Sequence, residues 1–405
     1  MADRTIDCDI LIVGAGIAGP GLACAIRDRG YSIVMVEAVE NPWDTSRGDH
    51  LQPVVVDILE KWGALDTFRD RGAEPRLGTS YYTADGEMIL DVPLEDLPIP
   101  HPYYLVYHHE MIGKAFMDLA SENSDLHFIA PATARDFETA EDGSIVALTI
   151  EGGDGARTVV HPKVVVGADG RGSKVRDTVG FNFAQEHHYE SPLVMLLCKR
   201  NEAEPRNEVM AFLGAKGMTF RIARMGDGWK LSIPIDRTDT MWWRNSSVDD
   251  RRRFIAERSP ALGDLETELV GFYPCKLANT AEWVRGNVVL AGDACHGLHP
   301  AHGQGMNIAL RDMARLITFL PEPKDLKDPQ LVRKQLKIYD ELHRPNMMMS
   351  LNANHERALE MDNRNPAAIL ETIPFYRGIQ DSSQMLEMFK WLTAGYPPPG
   401  TQQGK

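Results

Sequence analysis

Long apolar runs are missing from this chain. Nowhere do roughly eighteen apolar residues follow one another, so a membrane-spanning helix is not expected. The opening residues, MADRTIDCD, carry no apolar stretch of signal-peptide length. Basic tracts are absent too: 43 Lys and Arg against 58 Asp and Glu leave a net charge of -15, which argues against a nucleic-acid partner. Cysteine is sparse. Cys8, Cys24, Cys198, Cys275 and Cys295 are odd in number, scattered and free of any CxxC, which argues against a disulfide framework, a thiol redox pair or a zinc site. Together these absences predict a reduced, cytoplasmic protein without membrane contact.

What is present is an ordinary globular composition, 43% hydrophobic and 25% charged, over 405 residues, enough for about two domains. The first element, residues 10–13, is a continuous apolar run of the kind a fully buried parallel strand needs. It leads into Gly14-Ala15-Gly16-Ile17-Ala18-Gly19, which reads GxGxxG. A helix is expected over residues 22–29, stopped by Gly30, and a second apolar strand over 33–36 ends at Glu37. In this order each part has a physical task. Gly14 permits the tight turn, Gly16 lets backbone approach a pyrophosphate, and Gly19 lets helix and strand pack closely. The helix N-terminus faces the phosphates, and Glu37 accepts from ribose hydroxyls, which favours FAD or NAD over a phosphorylated ribose. The motif by itself does not choose between those two.

Two later segments choose. Residues 164–176, VVVGADGRGSKVR, form an apolar run broken by GADG and resumed as a helix. Residues 287–312 place a strand, NVVLA, before GDACHGLHPAHGQGMNIALRD. With the GxGxxG these resemble the three fingerprints of the single-component (group A) FAD-dependent monooxygenases, the aromatic-hydroxylase family typified by para-hydroxybenzoate hydroxylase. The resemblance implies FAD as cofactor and NADH or NADPH as a transient reductant, since no second GxGxxG follows a strand. It implies that Asp293 bonds the ribityl or pyrophosphate part of FAD and that Pro300 lies beside the isoalloxazine ring. It also implies that Gly303, Gly305, Met306 and Asn307 bring a helix N-terminus to the pyrimidine end, where reduced flavin gathers negative charge. Asp169 and Arg176 are implied to support FAD and the docking nicotinamide, and Arg47 to contact flavin or pyrophosphate. His108 stands where the family has Arg or Gln, so that contact would depend on pH. His296, His299 and His302 lie in an irregular Gly/Pro stretch without a carboxylate cluster, so no metal is expected, and Cys295 reads as a small buried residue.

Short alternating runs between 181 and 280, joined by a pair at Tyr81-Tyr82 and 88–92 turned at Asp85-Gly86, predict an antiparallel sheet that forms a substrate pocket. The fold class expected is therefore α/β: a Rossmann-like FAD-binding domain (1–70, 101–180 and 281–345), an inserted antiparallel-sheet substrate domain (71–100 and 181–280), and C-terminal helices (346–405). The resemblance implies a monooxygenase that inserts one atom of O2, by way of a flavin C4a-hydroperoxide, into an apolar or phenol-like small molecule. Pro300, His50 and Tyr82 are the catalytic candidates, and a substrate base is sought among His50, Tyr81, Tyr82, His187, His188 and Tyr189. Rival readings are an alkene epoxidase, since GDHLQP is similar to the squalene-epoxidase branch, an FAD-linked oxidase or dehydrogenase, and a non-redox flavoprotein with FAD as scaffold. GWKLSIP is faintly similar to a halogenase signature but has Leu231 in place of its second tryptophan. A monomer or homodimer is expected.

Overall fold

The computed structural model describes residues 4–43, 49–199, 209–226, 228–362 and 365–400. Its larger sheet runs in the order Val284–Arg285, Val288–Leu290, Arg157–Gly167, Arg4–Val13, Ile33–Val36, Leu126–Ile129. From Val288–Leu290 onward these strands are parallel. Alternate residues go to opposite faces, so Leu11, Val13, Val34 and Val36 enter one core while Ile10, Ile12, Ile33 and Met35 enter the other. Burial on both faces is what the continuous apolar runs require. The register also aligns Val13 with Val36 and Gly167, Val36 with Ile129, and Gly167 with Leu290. The loops that leave these C-terminal ends all open on one edge of the sheet, where open α/β sheets bind ligands. Strands Ala132–Thr139 and Ile145–Gly152 extend the sheet as an antiparallel meander on Arg157–Gly167.

The first helix spans Ala18–Ala25, four residues upstream of the expected 22–29 at both ends. Pro20 sits in its opening turn, where no backbone N–H is needed. At the far end Arg27 Nη1 takes the carbonyls of Cys24 and Trp62, each at 2.8 Å, and the chain turns off.

The second sheet has seven strands in the order Thr267–Tyr273, Leu193–Lys199, Gly228–Pro234, Gly217–Ala223, Val209–Gly214, Gly78–Thr83, Met88–Pro93. It is antiparallel save for Val209–Gly214 against Gly78–Thr83, which come from separate excursions of the chain and run parallel. One face packs against helix Val248–Arg258 through Phe212, Trp229, Trp243 and Ile255. The other presents a row in register, Met195, Ser232, Phe220, Ala211 and Tyr81. That inner face shares a core with Leu298, Ala301 and Ile308 of the cofactor-side segment.

Helix Pro329–Met361, capped by the Asp328 carboxylate, runs across both sheets. The C-terminal helices expected over 346–405 include two short ones, Ile373–Asp381 and Ser383–Thr393, separated because Ser382 leaves helical geometry and its hydroxyl caps the second. The chain then returns to the start of helix Pro53–Lys61: Val54 N donates to Ala394 O at 3.1 Å and Gln52 Nε2 to Thr393 O at 3.0 Å. No helix among the described residues is long and apolar enough to cross a membrane.

Candidate cofactor and active site

At the strand-end edge the glycine-rich turn is shaped by contact. Gly14 has φ +103°, and a Cβ there would lie 2.3 Å from the carbonyl oxygen of Ala168. A Cβ on Gly19 would lie 2.3 Å from the Gly14 carbonyl oxygen and meet Ile12. Both glycines are demanded by packing. Gly16 differs, for a Cβ there meets nothing within 4 Å, and the same holds at Gly305. At these two positions bare backbone borders open space, the surface on which a dinucleotide and a flavin ring can lie. The groups present therefore fit FAD. Ile17 and Ala18 open the helix, so its free N–H groups face this space.

Glu37 closes the turn. Its Oε2 accepts from Ala15 N at 2.8 Å and Oε1 from Val39 N at 3.1 Å, which holds the carboxylate at the end of its strand. Trp43, which sequence reasoning did not single out, donates from Nε1 to the carbonyls of Ala15 (2.7 Å) and Gly16 (3.0 Å). It packs so closely on Gly113 that a Cβ there would lie 2.1 Å from its ring. Helix His109–Ala120 is thereby set against the turn, with His108 at its N-cap. Arg47 lies outside the described residues.

The GADG and GD segments lock together. Asp169 accepts from Ser173 Oγ (2.5 Å), Lys174 N (2.7 Å) and Val175 N (3.1 Å), capping helix Lys174–Val179; burial holds its carboxyl above the ordinary range. Arg176 is buried. Its Nη1 donates to Ala294 O at 3.2 Å and its Nη2 to Arg171 O at 3.1 Å, tying one segment to the other. Asp293 remains partly open and pairs with Arg171 Nε at 3.2 Å. The residue before it, Gly292, has φ +57° and ψ -139°, a conformation open essentially to glycine alone.

The GQG turn meets His50. Gly303 has φ +60°, and a Cβ there would lie 2.2 Å from the imidazole, so only a glycine lets His50 come this close. Asn307 fastens the two: its Oδ1 accepts from Gln52 N at 2.8 Å and its Nδ2 donates to Gly303 O at 3.0 Å. Met306 lies in the first turn of helix Gln304–Leu316, half-buried, and Pro300 is exposed on the preceding turn. His50, Pro300, Gly303, Gly305, Met306 and Asn307 thus come together. Tyr82 does not join them. It lies on the outer face of the seven-stranded sheet, stacked on Phe212 at 5.4 Å, whereas Tyr81 points inward and stacks on Tyr376 at 4.5 Å. His187 and Tyr189 cluster with His299, while His188 is exposed.

Beside His108 lies a buried ionic group. Asp49 accepts from Lys230 Nζ at 2.6 Å, Arg224 Nε at 3.2 Å and His109 N at 3.1 Å, and Arg224 Nη2 lies 3.1 Å from His108 Nδ1. That contact makes Nδ1 an acceptor, hence a neutral imidazole; burial, then the Arg224 charge, push His108 below its ordinary range. Burial likewise lowers Lys230. Of these two side chains it is therefore Arg224, not His108, that carries the positive charge. Asp49 and Lys230 both lie in segments singled out by sequence, GDHLQP and GWKLSIP, yet their pairing joins distant parts of the chain and leaves no local signal.

The three histidines of the 296–302 stretch have separate partners or placements. His296 bonds Asp312, His299 meets the Tyr189 ring edge-on, and the side chain of His302 lies outside the described residues. Cys295, His296 and Asp312 do bring metal-type donor atoms within 4.8 Å of one another. The His296–Asp312 distance of 2.5 Å, however, is that of a hydrogen bond and leaves no room for an ion between them.

Comparison with known proteins agrees with this geometry. The family described as "FAD binding domain" matches residues 7–326. The chain is 26% identical over 359 residues to ubiquinone hydroxylase UbiL of Rhodospirillum rubrum, covering 85% of this chain and 79% of that one. Among solved structures, Pseudomonas aeruginosa PqsL in complex with 2-aminobenzoylacetate superposes with a TM-score of 0.76 at 22% identity, covering 91% of this chain and all of that one. The p-nitrophenol 4-monooxygenase PnpA of Pseudomonas putida gives 0.78 at 17%, covering 97% and 99%.

Proposed function

This chain belongs to the FAD-binding family of group A, aromatic-hydroxylase-like flavoproteins and is an FAD-dependent monooxygenase, and from that premise we propose that it consumes NADH or NADPH to hydroxylate an apolar, phenol-like small molecule. One observation carries the substrate class. The inner face of the seven-stranded sheet sets Phe220, Ala211 and Tyr81 in register, and this apolar, aromatic row shares a core with Leu298 and Ala301, which flank the Pro300 turn. Such a roof takes a flat apolar molecule and keeps water out.

Bound FAD supplies the electron transfer and the activation of O2. This chain's own residues hold and orient it. Glu37 takes the ribose, and the helix start at Ile17 and Ala18 takes the phosphates over the bare backbone of Gly16. Asp293 takes the ribityl or pyrophosphate portion. The N-terminus of helix Gln304–Leu316 lies at the pyrimidine end, where its free N–H groups favour negative charge. His50, pressed on Gly303, fixes the turn that positions Pro300. Asp169 and Arg176 act by bracing the GADG and GD segments. The substrate is placed by the inner sheet face, so that its reacting carbon stays oriented. The names of UbiL and PnpA, a quinone hydroxylase and a phenol monooxygenase, accord with this substrate class.

The test is NADH and NADPH oxidation by the FAD-loaded protein with phenols, quinolones and polyprenyl quinols in turn, followed by mass spectrometry under isotopically labelled O2. Stimulation by one compound, with one labelled oxygen in its product, is the expected result. Stimulated oxidation that yields only peroxide with every compound would move the reading to an oxidase.

A further inference from the structure

Helix Pro329–Met361 brings a cation to the inner face of the seven-stranded sheet. Arg357 is buried, and its guanidinium carbon lies 5.2 Å from the centre of the Tyr376 ring. Tyr376 in turn stacks on Tyr81, which stands in the row with Ala211 and Phe220. Arg357 Nη2 donates to Met218 Sδ at 3.6 Å. Met218 comes two residues before Phe220 on the same strand, so it shares the inner face. Arg357 Nη1 donates to the carboxylate of Glu360, three residues along the helix, whose side chain is 47% exposed.

The two nitrogens are unequally served. A guanidinium taken out of water needs strong acceptors, and the thioether on Nη2 is a weak one. The strong acceptor, Glu360, reaches in from the solvent side, and a half-exposed carboxylate returns to water at little cost. Burial presses against the Arg357 charge, yet Tyr376, Tyr81 and Glu360 hold it above the ordinary arginine value. A permanent cation therefore sits at the edge of the aromatic row with its inner nitrogen poorly matched. Packing alone would be met as well by an apolar side chain.

We propose that Arg357 selects substrates that carry a carboxylate, and that Glu360 is the internal anion which such a substrate displaces. This rests on the hydroxylase reading above and narrows its substrate class to aromatic acids. The ring lies along Phe220, Ala211 and Tyr81, and its carboxylate takes Arg357 Nη2 in place of the Met218 sulfur. The planar fork of an arginine suits a carboxylate better than a lysine would. Two carboxylates on one guanidinium repel, so Glu360 turns out to water as the substrate enters. One anion replaces another and the buried cation is never left alone. An uncharged ring meets the Arg357–Glu360 pair intact and gains nothing from it.

The experiment measures Kd by calorimetry on the FAD-loaded full chain, with 3-hydroxybenzoate and 4-hydroxycinnamate each set against its uncharged amide. The wild type should bind an acid about tenfold or more tighter than its amide. Arg357→Gln should lose that preference while binding the amide within about twofold of wild type. Glu360→Gln removes the competing charge from an exposed position, and should tighten the acid about threefold and leave the amide alone. A purely structural ion pair predicts no such gain. A wild type that binds neither acid tighter than its amide overturns the proposal, as does a preference that survives Arg357→Gln. Should Arg357→Gln fail to fold, Glu360→Gln decides, and no tightening of the acid is the overturning result. Failure of the hydroxylase reading looks different: the acid preference and its response to both variants would stand, while no acid or amide would speed NADH or NADPH oxidation.

Discussion

His296 Nε2 lies 2.5 Å from Asp312 Oδ2, both side chains fully buried, and the other oxygen of the carboxylate is 2.8 Å from His343 Nε2. Asp312 so joins the GD segment, the flavin-side helix and the long C-terminal helix. Burial presses against both charges, but Cys295 and Asp312 hold His296 well above its ordinary value, and the histidines hold Asp312 below its own. Breaking a buried pair of this kind leaves an uncompensated charge and costs about 3–5 kcal/mol. Asp312→Asn is expected to lose that much in urea unfolding of the FAD-free protein. The sign with pH follows by linkage. The His296 contribution is complete below about pH 6.5 and is lost as pH rises through its raised value. The Asp312 contribution is complete above about pH 3.9 and is lost as pH falls through its lowered value. His296→Asn should therefore flatten the alkaline limb of the stability curve.

Gly14 and Gly16 look alike in sequence and should behave oppositely. Alanine at Gly14 meets backbone at 2.3 Å with φ +103°, so it should cost at least about 3 kcal/mol and spoil folding. Alanine at Gly16 meets nothing. The FAD-free protein should unfold within about 0.5 kcal/mol of wild type. A methyl pressed against the bound dinucleotide should cost about 1–3 kcal/mol, or roughly five- to 150-fold in Kd. FAD titration by fluorescence quenching, beside urea unfolding, separates the two.

This contrast shows where sequence reading ends. The apolar runs at 10–13 and 33–36, the glycine turn and the Gly303–Asn307 helix start were legible because their chemistry is local: buried strands, a tight turn, a helix N-terminus. The motif assigned Gly14 to a tight turn and Gly16 to backbone near a pyrophosphate, but that Ala168 is the group pressed on Gly14 was not legible, since it comes from a distant part of the chain. The pairing of Asp49 with Lys230, and of Tyr189 with His355, joins residues far apart in the chain with no periodic signal. Helix ends drifted for a similar reason, as a side chain such as Arg27 or Ser382 competes for the backbone.

His108 offers a charge test. It accepts from Arg224 as a neutral ring, and burial and that guanidinium keep it below its ordinary range. The unfolded chain thus takes up a proton that the folded one resists, so stability should fall as pH drops below about 6.5. His108→Gln keeps an acceptor for Arg224 and should remove this acid-side loss. His108→Arg puts two guanidinium groups side by side and should destabilise at every pH. Urea midpoints of the FAD-free proteins across the acid range decide it.

Tyr81 and Tyr82 provide the last test, because strand geometry sends adjacent side chains to opposite faces. Tyr81 belongs to the inner row and stacks on Tyr376; Tyr82 stacks on Phe212 beneath helix Val248–Arg258. If the substrate lies under the inner face, Tyr81→Ala removes part of its pocket and should raise KM about tenfold or more. Tyr82→Ala should instead cost about 1–3 kcal/mol of stability with KM unchanged. The outcome does not depend on which compound is the substrate, since any molecule under the inner face feels one tyrosine and not the other. Equal KM effects from the two would mean that the substrate is held elsewhere, and steady-state kinetics paired with urea unfolding reads both quantities on the same samples.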